Sequence, residues 1–334
     1  MKRKGLAVAV ILLFIGMYVV PSTAVTELEE NQSPISFEGD TLYVGGSGPN
    51  NYTKIQDAID NSNNSDTIFV YNGVYNDYYP DGQYGYTVNI NKEIKLLGED
   101  KNHTILNGTG NAITVRVSSN NVEIRNFTIQ NGGASFGGGI RIMDGKKGTS
   151  VFYNIIKNNN VGIFMMFNSN VLIRYNLIEN NGNGIFLFDS YNTKIWTNII
   201  ANNTNGIVMT YGQNFIGNVE FRDNKKGIQT DNTQINGGYN NFIKNDKHIE
   251  SVKGVYLSSF LLYYKMRNYW VGNYWDDLGD HRFKAIKGRG VIYIDFLRVD
   301  IPILLLPYIE FDFHPRSTPI DIRSFFINIK VVIN

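Results

Sequence analysis

Asn176-Leu177-Ile178-Glu179-Asn180-Asn181-Gly182-Asn183-Gly184-Ile185-Phe186-Leu187 is one of several near-copies of a single string. The Gly-Ile pair inside it begins at Gly184, and the same pair begins at Gly139, Gly162, Gly206 and Gly227, at spacings of 23, 22, 22 and 21 residues. The leading half recurs as Asn154-Ile155-Ile156-Lys157-Asn158-Asn159 and as Asn198-Ile199-Ile200-Ala201-Asn202-Asn203. Self-similarity at this period marks a unit that buries its apolar side only by stacking on its neighbours. The chain is a solenoid.

Within a repeat no apolar run lasts more than a few residues before Asn or Gly interrupts it, which excludes helical and leucine-rich repeats. Short strands and turns remain. Ile185 and Leu187 share one parity, as do Ile163 with Met165 and Ile207 with Met209, so these side chains should point inward and stack from coil to coil, ~4.8 Å apart. Val151, Ile173 and Ile195 form a second inward column, and the Asn pairs supply turns and amide ladders. The fold class read from this pattern is all-β: a right-handed single-stranded parallel β-helix with coils of about 22 residues.

The segments outside the repeat define the organisation. Residues 41–80 hold an N-terminal cap and first coil, in which Tyr52 to Asp60 reads as one amphipathic helix with Thr53 and Gln56 as a capping box and Ile55, Ala58 and Ile59 on one side. Residues 81–254 are the β-helix repeats. Residues 255–334, rich in Tyr, Trp, Phe and Leu, are expected to form a distal cap that folds back on the stack, because an open end exposes unpaired strand edges. Residues 1–24 have the basic start, apolar run Leu6 to Val20 and small residues Ser22-Thr23-Ala24 of a secretory signal, with 25–40 as linker. An uncleaved membrane anchor is the alternative; the shortness of the run and Pro21 favour cleavage, and no other segment is long enough to span a bilayer.

Formal net charge is +1, and without Lys2, Arg3 and Lys4 there are 28 basic against 30 acidic residues. No basic footprint for nucleic acid is present. Cysteine is absent, so an exported chain of this kind depends on its packed stack and not on disulfides.

Thr53-Lys54-Ile55-Gln56-Asp57-Ala58-Ile59, followed by Asp66-Thr67-Ile68-Phe69-Val70 and Gly73-Val74-Tyr75-Asn76, resembles the N-terminal cap and first coil of pectate-lyase-like β-helices. Asn121 to Ile129, the Asn-x-Ile and Gly-Ile repeats, and Gly272-Asn273-Tyr274-Trp275 are similar to the NosD-type family. The resemblance runs from about Asp40 to Asp277. It implies a β-helix that is exported, and a role as carbohydrate binder, sugar-hydrolase-like protein or accessory factor for copper-site assembly.

Three groups of residues are candidate sites. For catalysis, Asp276, Asp277, Asp280 and His281 form an acidic cluster beside Trp275, which could bind a cation such as calcium, act on a glycan or simply close the last coil. Asp144 and Asp189 share an outward column two coils apart, too far for one calcium ion. For metal, Met143 and Met166 lie in adjacent coils, but a Met pair is more often packing, and His103, His248, His281 and His314 show no ligand spacing; copper is disfavoured. For ligand binding, Phe164, Phe186 and Phe188, with Phe167, Tyr211 and Asp189 close by, form an outward aromatic stripe suited to stacking on a polysaccharide or cell-surface glycan. The competing expectation is that Val255 to Trp275 covers that stripe; the Tyr-rich stretch Tyr71 to Tyr86 is another open surface. The sequence thus favours a non-catalytic glycan-binding or structural surface protein. A polysaccharide lyase or hydrolase is the first alternative and a copper-assembly accessory protein the second.

Overall fold

The computed structural model describes residues 39–82, 84–110, 112–133, 137–256, 268–279, 281, 284–296, 299–312 and 314–322. The signal and linker readings for 1–38, Asp280, and most of the segment expected to cover the aromatic stripe lie outside the described residues.

The chain is an all-β, right-handed parallel solenoid of about nine coils. Each coil contributes strands to three walls. Nine strands, from Gly73–Tyr75 through Leu177–Glu179 to Tyr274–Trp275, form one wall in sequence order. The other two walls belong to one 18-stranded sheet, because strands such as Asn183–Trp196 and Asn205–Gly217 run around the corner between them.

Register follows the sequence period. Ile163, Ile185, Ile207 and Ile228 are consecutive partners in one inward column, and Ile173, Ile195 and Ile216 in a second. Ile156, Ile178, Ile200, Phe221, Phe242 and Trp275 make the third, all at most 2% exposed. In that column the filling changes from aliphatic to aromatic toward the distal end, where Phe221, Phe242 and Trp275 stack with centroids 5.1 and 4.3 Å apart. Each such side chain stabilises by roughly 1.5–3 kcal/mol on burial.

The repeat glycines have a steric reason. A Cβ on Gly162, Gly184 or Gly227 would lie 2.5 Å from the backbone oxygen of the same position in the next coil. Only glycine fits while another coil lies above it.

The two Asn residues of each pair do different work. Asn158, Asn180 and Asn202 adopt φ of 54–56° and turn the chain, a conformation Asn tolerates better than most residues. Asn159, Asn181 and Asn203 point inward, and Asn224 and Asn245 extend the row. Each amide Nδ2 donates to the Oδ1 of the next coil, at 3.1 Å for Asn159 to Asn181, Asn181 to Asn203 and Asn203 to Asn224. A parallel ladder runs Asn154, Asn176, Asn198, is interrupted at Val219, and resumes at Asn240 and Asn273. It terminates on the fully buried Asp312, whose Oδ2 accepts from Asn273 and from the Trp275 indole.

The proximal end differs from the expected capping box. The helix is Ile55–Asn61 with Lys54 as N-cap and no side-chain cap bond. Gln56 instead pairs with the backbone of Asn89 through both amide atoms, accepting from its N–H at 2.8 Å and donating to its oxygen at 3.2 Å. The side chain acts as one residue of an extra strand and satisfies an edge that would otherwise be open. Ile55, Ala58 and Ile59 are buried beneath it.

Distally, strands Lys284–Phe296 and Val299–Asp312 pair antiparallel with each other. The first also adds in parallel to Lys247–Tyr256, so the described part of the distal segment extends the sheet as a long hairpin.

Candidate binding corner and distal cleft

The sequence places Phe164, Phe186 and Phe188 in one outward stripe, but the walls and corners of the solenoid treat them differently. Phe164 and Phe186 lie mid-wall and stack face to face at 5.2 Å with 2° between planes. Arg141 covers the Phe164 ring at 5.4 Å, and Gly137 packs on its Cβ, so Phe164 is only 3% exposed. Phe164 is thus structural, not open to a ligand.

At the corner the rings are open. Phe167, Asp189, Tyr211 and Asn232 occupy the same position in four successive coils, all with φ between 45° and 57°. Phe167 and Tyr211 are 50% and 44% exposed, and both meet the edge of the half-buried Phe188, at 5.6 and 5.7 Å with 89° between planes. Tyr191, 51% exposed, donates its hydroxyl to Asp189 Oδ1 at 2.9 Å. That bond holds the phenol proton and raises the Tyr191 pKa. One carboxylate oxygen of Asp189 remains an acceptor. Asp144, one coil before Phe167, lies 4.0 Å from Arg141. Phe167 and Tyr191 are the residues that parity alone undervalues, since it separates inside from outside but not wall from corner.

The catalytic candidates fall in a second place, an open cleft of about 420 Å³. Asp276 and Asp277 line it; His281 is exposed, and the ion pairs of the two aspartates are made with His248 and Lys284. Their partner is His248, for which no ligand spacing was legible. His248 occupies the position of the repeat glycines, as the neighbour of Gly227 in the next coil. The next strand pairs only from Ser251 onward, and its residues 284–287 line the cleft with His248 instead of pairing at that position. Spacing could have shown it: Lys247-His248-Ile249 stands 21 residues after Lys226-Gly227-Ile228.

His248 Nε2 lies 2.9 Å from Asp276 Oδ1 and 3.2 Å from Asp277 Oδ1, and Lys284 Nζ is 2.5 Å from both oxygens of Asp277. Burial of the imidazole lowers its pKa, against the opposing pull of Asp277 and Asp276. Asp277 feels the same burial, but the Lys284 bond and the nearby His248 outweigh it and hold the carboxyl below its usual value.

The three groups are close enough to ligate one ion. The tautomer opposes that use. Asn245 Oδ1 accepts from the Asn224 amide, so its Nδ2 is fixed as the group facing His248 Nδ1, at 3.3 Å. Nδ1 must then accept, the proton sits on Nε2, and Nε2 donates to the carboxylates. A metal on Nε2 would need the proton moved to Nδ1, against the Asn245 donor. Asp276 is further committed, its Oδ2 accepting the Lys244 backbone N–H at 2.5 Å. In the preceding coils that corner donor meets a backbone carbonyl, as Asp223 does with Ile243. In this arrangement Asp276 takes the place of that carbonyl and ties Lys244 to His248.

A depressed histidine pKa has a stability consequence. The unfolded chain takes up a proton near pH 6.5 and the folded chain only at lower pH, so His248 stabilises fully above about pH 6.5 and progressively less as pH falls toward its folded pKa. Melting temperature should drop between pH 7 and pH 5, and His248→Asn should flatten that drop. An unchanged slope in the variant would dissociate the acid sensitivity from this residue.

Met143 and Met166 lie half-buried in adjacent coils, on the outward side. Among the described residues no helix is long and apolar enough to cross a membrane.

A family model described as "Right handed beta helix region" matches residues 98–247. No curated protein matches the chain. Similar solved structures include pectin methylesterase from carrot, at 13% identity over 71% of this chain and 82% of that one, TM-score 0.37. Another is the deglycosylated pectin methylesterase from Aspergillus niger, at 14% identity over 64% and 83%, TM-score 0.41. The alginate lyase from Paenibacillus sp. str. FPU-7 is 12% identical over 69% and 95%, TM-score 0.37. At such identities and scores nothing about activity follows from these likenesses.

Proposed function

We propose that the protein is an exported, non-catalytic β-helix of NosD-like kind whose corner at Phe167, Phe188, Asp189, Tyr191 and Tyr211 binds a glycan. The observation that carries this reading is the set of three half-exposed aromatic rings around one acceptor carboxylate, on a scaffold held rigid by ladders on the inside. Aromatic faces take the C–H side of a sugar while the carboxylate and Asn side chains at the rim accept and donate hydrogen bonds. The test is a glycan-array screen of the protein, with and without calcium, followed by assays for reducing ends and unsaturated products. Binding without product release supports the reading; product release would move it to a lyase or hydrolase.

Export is the second element of the proposal. Mass spectrometry of material recovered from culture medium should find an N-terminus near Val25. Membrane-bound protein retaining Met1 would show instead that Leu6 to Val20 is an anchor.

A further inference from the structure

We infer that the corner holds one particular kind of glycan: an uncharged, extended chain of equatorially linked sugars, such as a β-1,4-linked glucan, lying along the axis of the stack. The inference rests on the glycan-binding reading above and gives it a substrate class.

The corner column reads Phe167, Asp189, Tyr211, Asn232, one residue per coil, so rings alternate with a carboxylate and an amide. Phe167 and Tyr211 are therefore two coils apart, a rise of ~9.6 Å at the usual spacing between strands. In an extended equatorially linked chain each sugar is turned over relative to the last, so the same face recurs at every second residue, a repeat close to two coils. Two rings two coils apart can then stack on sugars one and three. Sugar two comes opposite Asp189, whose second oxygen is available to its hydroxyls. A chain with one axial and one equatorial bond per sugar, such as an α-1,4-linked glucan, coils away from a straight line and cannot keep both rings in contact.

Charge narrows the class further. Asp189 sits between Phe167 and Tyr211 along the column, so a polyanionic chain lying across both rings would bring a carboxylate against it, and like charges across an interface are disfavoured. A neutral chain meets no such opposition. Phe167 and Tyr211 are both held at φ 57°, a conformation that costs bulky side chains more than Asn, and Asn occupies the equivalent position at 232.

The experiment is titration calorimetry of the full chain with cellobiose, cellotriose, cellohexaose, maltohexaose and polygalacturonate, repeated on Phe167→Ala and Tyr211→Ala. Both substitutions remove exposed rings, and melting curves establish that the variants are folded. The expected result is binding of cellotriose and cellohexaose, binding of cellobiose weaker by about tenfold because it cannot reach both rings, and a loss of about tenfold in either variant, the scale of one stacked ring. Tighter binding of maltohexaose or polygalacturonate than of cellohexaose would overturn the inference and leave the glycan-binding reading standing. Cellohexaose binding that neither substitution weakens would overturn the assignment to this corner. Binding of none of these sugars, with no hit on the array, would remove both.

Discussion

Ile178→Asp should leave the protein without a cooperative melting transition under conditions where the parent is folded. Ile178 is fully buried between Ile156 and Ile200, in the inward column of the nine-stranded wall. The substitution forfeits roughly 1.5–3 kcal/mol of apolar burial. It also puts a carboxyl group where no donor is within reach, at a further cost of several kcal/mol. Together these approach the whole stability of an ordinary domain, about 5–15 kcal/mol. In a stack each coil is supported only by its neighbours, so a lesion in the middle uncouples the two halves. A variant that melts within a few degrees of the parent would mean that the inward register is wrong.

Asn181→Leu should cost about 3–5 kcal/mol although leucine is the more apolar residue. Asn181 Oδ1 accepts the backbone N–H of Asn159 at 2.9 Å, and its Nδ2 donates to the Ile156 oxygen at 3.0 Å. Leucine would orphan both buried backbone groups, each worth about 1–3 kcal/mol when left unpaired. The preceding residue provides the contrast. Asn180 is exposed at φ 56°, where glycine is at least as comfortable, so Asn180→Gly should move stability by less than about 1 kcal/mol. Chemical denaturation of the two variants measures the difference, and equal losses would refute the division of labour within the Asn pair.

Why the columns were readable and the ends were not has a physical basis. Register was legible because Ile163, Ile185 and Ile207 must superimpose for any of them to be buried, and 22-residue spacing is the only way a sequence can record that. The same spacing identified the Asn pairs, but not which member faced inward, since both types satisfy a backbone need and differ only in φ. Gln56 fitted a capping box because local sequence cannot show that a strand edge at Asn89, 33 residues later, competes for the same amide. His248 escaped notice for a related reason: its meaning lies in a cleft formed with Trp275, Asp276, Asp277 and residues 284–287, which are distant in sequence. Phe164 and Phe167 differ in exposure because one is mid-wall under Arg141 and the other on a corner, a distinction of curvature that parity does not contain.

The ladders give the molecule a direction. Every amide-to-amide bond in them runs toward the C-terminal end, as from Asn159 through Asn245 and from Asn240 to Asn273, while the other amide hydrogens return to backbone carbonyls of the preceding coil. A chain emerging residue by residue can therefore complete each coil only when the following one arrives, and at every intermediate length its leading end presents outstanding donors. Two acceptors cancel that debt: the lone pair of His248 for one row, and the carboxylate of Asp312 for the other. Until residue 312 has been synthesised, the growing tip is chemically equivalent to a site awaiting one more coil, from its own chain or from another copy.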